Sequence, residues 1–180
     1  MLKFTLLAAA LLLTACSSSP TPELEREALA RDVQTAKETA LYKSPQMKRL
    51  FDDSYGYAVF PNAGKGAFIV GGGYGKGQVF QKGKSRAVGE ANISQISVGL
   101  QAGGQSFSEY VFFRDKFNFD NFTNGKFAFA ANASAVAVTE GASTNIDYKA
   151  DVAAFTMVKS GLMLEAAISG QNFSFSWYLP

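Results

Sequence analysis

An α+β fold, mainly β, is what this chain predicts, and three features predict it. Strand-like segments follow one another at short spacing, with Gly- and Ser-containing turns between them. A stretch from Tyr55 to Phe80, YGYAVFPNAGKGAFIVGGGYGKGQVF, carries eight Gly yet keeps Tyr57, Val59, Phe60, Ile69, Val79 and Phe80. A linker would lack those aromatic and β-branched residues, so the glycines mark bends and close approaches within strands. Two helical patterns, one before the strands and one among them, complete the set. The expected architecture is an antiparallel sandwich or partly closed barrel, with an N-terminal helix and a short helix across one end.

In chain order, residues 1–15 read as a lipoprotein signal peptide. Lys3 precedes an apolar run from Phe4 to Leu13 that is too short to span a bilayer. Leu13-Thr14-Ala15-Cys16 resembles a lipobox, which implies cleavage before Cys16 and acylation of Cys16. Several acyl chains would give stable anchoring where one would not. Ser17 follows, not Asp, so an outer-membrane destination in the cell envelope is expected. Residues 16–22 then form the lipidated Cys and a flexible tether rich in Ser and Pro.

Residues 23–43 show a helical period through Leu24, Ala28, Leu29, Val33, Ala36, Ala40 and Leu41. Thr21 caps this helix, Pro22 opens it, and Ser44-Pro45 ends it. The Ala-rich stripe suits packing on the domain better than leaning on a membrane. Pro45 to Asp53 reads as a further short helix with Met47, Leu50 and Phe51 inward. Asp52 and Asp53 are sequence neighbours that do not share a helix face, so they form no catalytic dyad.

The β-rich domain spans residues 44–180. Gln81 to Arg86 makes a hairpin-like turn loaded with positive charge. Ile96, Val98, Leu100 and Ala102 give the cleanest period-two strand. Phe107–Phe113 is another strand, and Arg114–Phe122 a short helix. Lys126–Thr139 alternates with Ala on one side. Strands over Phe155–Val158, Leu162–Ile168 and Phe173–Tyr178 follow.

The ordered blocks YGYAVFPNAGKGAFIVGGGYGKGQVF, ISQISVGLQAGGQSFSEYVFF, FAFAANASAVAV and SGLMLEAAISGQNFSF resemble a SYLF domain, from about Lys43 to the C-terminus. The resemblance implies a mainly β domain with helices. It also implies phosphoinositide binding and, in some eukaryotic relatives, actin binding. A bacterial lipoprotein leader argues against actin as a partner here.

Several chemistries are excluded. There is no His and one Cys, which removes the usual general base, the commonest metal ligand and any internal disulfide. A phosphate loop ending at Gly75-Lys76 would need Gly where Val70 stands and Ser or Thr where Gly77 stands. The dinucleotide fingerprint fails at Lys76 and Gln78. The expected protein is therefore not an enzyme and takes no cofactor, metal or nucleic acid. Charge supplies the positive indication. Residues 43–86 hold eight basic side chains against two acidic ones, a net of +6, while residues 87–180 carry −3. Lys65, Lys76, Lys82, Lys84 and Arg86 are the candidate contacts to anionic lipid head groups. The alternative reading is a scaffolding envelope protein that contacts other proteins through exposed strand edges.

Overall fold

The computed structural model describes residues 21–45, 47–65, 72–96, 105–126, 133–137, 151–160 and 171–179. Cys16, with the leader and tether around it, lies outside the described residues. So do the expected strand at Leu162–Ile168, residues 97–102 of the alternating strand, and most of the Ala-lined run from Lys126 to Thr139.

Helix α1 (Pro22–Lys43) begins where local chemistry starts it. Thr21 Oγ1 accepts the Leu24 N–H at 3.4 Å, Pro22 sits in the first turn, and Glu23 and Glu25 face the positive end of the helix dipole. The Ser44 N–H closes the helix on the Ala40 carbonyl at 2.8 Å. Leu29, Val33, Ala36 and Ala40 are buried, while Leu24 and Ala28 of the expected stripe face solvent. The helix therefore packs on the domain. In the short helix α2 (Met47–Asp53), Met47 and Leu50 point inward, and Asp52 pairs with Lys48 at 2.5 Å.

The strands are β1 (Gly56–Lys65), β2 (Gly72–Gln81), β3 (Gly89–Ile96), β4 (Gln105–Phe113), β5 (Ala133–Ala137), β6 (Val152–Ser160) and β7 (Gln171–Trp177), with helix α3 (Lys116–Thr123) after β4. They form one sheet in the order β5-β6-β4-β1-β2-β3-β7. All neighbours are antiparallel except β5 and β6. The α+β, mainly β class holds. Of the two architectures expected, the described strands make a single open sheet, not two packed ones. One boundary moves: β3 starts at Gly89, six residues before the alternation that the sequence displays. Its inward members Gly89 and Ala91 are too small to register as a hydrophobic pattern.

The sheet curls strongly. Gln171 Nε2 of β7 donates to Glu109 Oε2 of β4 at 2.9 Å, and Phe60 of β1 meets Phe173 of β7 at 5.8 Å between centroids. In a flat sheet β4 and β7 would stand about 19 Å apart at four strand spacings. Small residues permit the curl: a Cβ at Gly77 would lie 2.5 Å from Phe60 Cδ1, and one at Gly89 would overlap the Phe175 ring. The concave face buries Ala58, Phe60, Val79, Ile93, Val111 and Phe113 under Phe119 and Phe122 of α3. The opposite face buries Val59, Tyr110, Phe112 and Phe155 under α1 and α2.

Candidate functional site

The first turns of α1 lie against the end of the chain. Arg26 stacks its guanidinium over the Tyr178 ring, 4.2 Å from the centroid. Tyr178 is fixed from two further directions. Its N–H donates to the Val88 carbonyl at 3.0 Å, and its hydroxyl accepts from Gln78 Nε2 at 3.1 Å. Burial, above all, pushes the Tyr178 phenol up from its ordinary value. The residues after β7 are thereby held against the β2–β3 hairpin.

Between α1, β2, this hairpin and the chain end lies a groove of about 710 Å³. Its walls are Ala30 and Val33 on one side and Ala87 and Leu179 on the other, with Phe80 below. Arg26 and Arg86 flank it, and Glu27 is the acidic side chain on its rim. Glu27 also faces Arg31 at 3.9 Å. The volume, the apolar lining and the few polar groups match a small-molecule site. Phe80 stacks on Tyr57 at 4.9 Å and 18°. Lys37 lies over both rings, at 4.9 and 5.0 Å, and donates to the Tyr57 hydroxyl at 2.9 Å, so the floor of the groove is rigidly tied to α1.

The residues expected from sequence fall in three places. Lys82, Lys84 and Arg86 are all exposed on the β2–β3 hairpin, whose turn needs the positive φ of +82° at Gly83. None of the three is in an ion pair among the described residues. Lys76 sits elsewhere and is compensated: its Nζ lies 3.2 Å from Glu90 and 3.8 Å from Glu25. Lys65 ends β1, opposite Gly73 and Gln105, about 30 Å along the strand from the hairpin end. The five cations thus do not make one patch.

Sequence reasoning missed Arg26, Phe80, Tyr178 and Leu179, because the groove joins them from distant parts of the chain. Trp177 and Leu179, 56% and 89% accessible, stand beside the hairpin, an exposure that sequence alone does not reveal. Among the described residues no group of three or more His, Cys, Asp or Glu could hold a metal, and no helix is long and apolar enough to cross a membrane.

No family model matches the chain. The chain is similar to the beta cell expansion factor A of Aeromonas veronii, with 29% identity over 147 residues. That match covers 78% of this chain and 55% of the relative, so the chain spans about half the length of the curated protein it matches.

Proposed function

We propose that this chain is a lipid-anchored bacterial envelope protein of the SYLF-domain family, whose domain binds anionic lipid surfaces without catalysing a reaction. One observation carries the reading: the hairpin projects Lys82, Lys84 and Arg86 into solvent beside exposed Trp177 and Leu179. Cations near a charged leaflet contribute about 1 kcal/mol each, and Trp favours the head-group level. The anchor reading adds geometry. Five residues separate Cys16 from Pro22, so an acylated Cys16 would hold α1 within about 20 Å of the bilayer.

The test is vesicle flotation with the chain from Ser17 to Pro180, which contains every described element and lacks the acylation site. Binding to phosphatidylglycerol vesicles is expected, together with weakening as salt rises, since exposed charges are screened within about 8–10 Å. Reversing Lys82, Lys84 and Arg86 to Glu should weaken binding by ~100-fold or more. Absence of vesicle binding at low salt would leave the hairpin as a solubility feature and favour the protein-scaffold reading.

A further inference from the structure

We infer that the groove between α1 and the β2–β3 hairpin is a binding site for a single-chain anionic amphiphile, with Arg26 and Arg86 holding its head group. This deepens the lipid-surface reading and rests on it for the source of the ligand, and the site and the surface share Arg86 alone. The surface needs the tip of the hairpin, Lys82 and Lys84. The groove needs the apolar walls behind it.

Shape and charge select the ligand class together. The walls offer Ala30, Val33, Phe80 and Leu179 to an alkyl chain, and Ala30 and Ala87 keep the passage open by their small size. A cavity of about 710 Å³ lies within the usual range for one small ligand. Two guanidinium groups flank the opening against one carboxylate, Glu27, which is shared with Arg31. Arg26 is held at the rim by its cation–π contact, with Cζ 4.2 Å from the centroid of the Tyr178 ring. Planar donors of this kind recognise a carboxylate or a phosphate monoanion in bidentate fashion. A fatty acid and a lysophospholipid share that chemistry: one acidic head and one chain. Below the opening, Gln78 Nε2 donates to the Tyr178 hydroxyl at 3.1 Å, which pairs two of the polar groups an alkyl chain would meet.

The experiment uses the delipidated chain from Ser17 to Pro180 and a dansyl-labelled undecanoate as probe. Saturable binding with a blue-shifted emission is expected. Competition by laurate identifies a free acid as ligand, and competition by lysophosphatidylglycerol a lysolipid. Arg26→Gln and Arg86→Gln should each weaken the probe about tenfold. Ala30→Trp, at an exposed helix position, should abolish probe binding while leaving the melt intact. Lys82→Glu with Lys84→Glu should leave the probe unaffected and weaken only vesicle binding. That contrast separates failure of the groove from failure of the surface reading. Probe binding that survives Ala30→Trp places the site elsewhere and overturns the inference. Equal displacement by dodecanol and laurate overturns the head-group assignment. A probe-free dimer that Ala30→Trp splits overturns it in favour of a second copy of the chain.

Discussion

Gly77 shows what a single hydrogen atom does in this fold. An interior strand position ordinarily gains about 0.5–1 kcal/mol when Gly becomes Ala, because the unfolded chain loses freedom. Here the sign reverses. The added Cβ would lie 2.5 Å from both Phe60 Cδ1 and the Val59 carbonyl oxygen, and the backbone oxygen cannot rotate away. Gly77→Ala should therefore lower stability by about 1–3 kcal/mol, the usual cost of overpacking. Thermal melts would read this as a fall of about 2–4 °C for each kcal/mol. An unchanged or raised Tm would mean that Phe60 has room to move. The glycine clustering was legible in sequence as close approach within strands. The partner was not, since nothing in the sequence says that Phe60, opposite Gly77 at a break in the β1–β2 register, fills its space.

At the scale of the element, α1 is fastened to the sheet by few polar contacts, and the buried one has a pH signature. Tyr110 is fully buried and donates its hydroxyl to the Ala36 carbonyl at 2.8 Å. Burial pushes its phenol up to about 12. An unfolded Tyr titrates near 10, so this contribution to stability is complete below about pH 10 and is lost as pH rises through 12. The loss is about 2–3 kcal/mol once both states are ionised. Tyr110→Phe should be less stable at neutral pH by about 1 kcal/mol, yet its denaturation midpoint should fall less steeply above pH 10. Parallel curves for the two proteins would assign the alkaline loss to other groups. The helix itself was readable because its signals are local: Thr21-Pro22 starts it and Ser44-Pro45 stops it. β3 was read late because its inward positions carry Gly89 and Ala91, whose small size hides the alternation.

For the whole molecule, curl decides more than strand count. β4 and β7 are separated by three strands in the sheet, yet Glu109 and Gln171 touch across the concave face. Thr156 pairs opposite Glu109 and is buried with them, so a small polar centre sits inside an otherwise apolar interior. The mainly β class followed from alternation, but curvature depends on which faces carry glycine in three dimensions. The groove escaped sequence reading for the same reason, since Arg26, Phe80 and Tyr178 become neighbours only after the sheet has closed upon α1.

The clasp of Arg26 on Tyr178 has a consequence for the timing of folding. The start of the helix rests on the end of the chain, Gln78 bonds Tyr178 across 100 positions, and β3 finds its outer partner only in β7. Contacts of such sequence separation form slowly, because the closure entropy of long loops precedes any reward. On a ribosome α1 emerges long before residues 171–179, and its first turns must wait for them before they can dock. A chain truncated after Gly170 should keep α1 open to protease at its N-terminal turns, while the full chain resists. Resistance in the truncated chain would show that the helix docks without the clasp. A chain built in this order keeps the first turns of α1 undocked until β7 arrives.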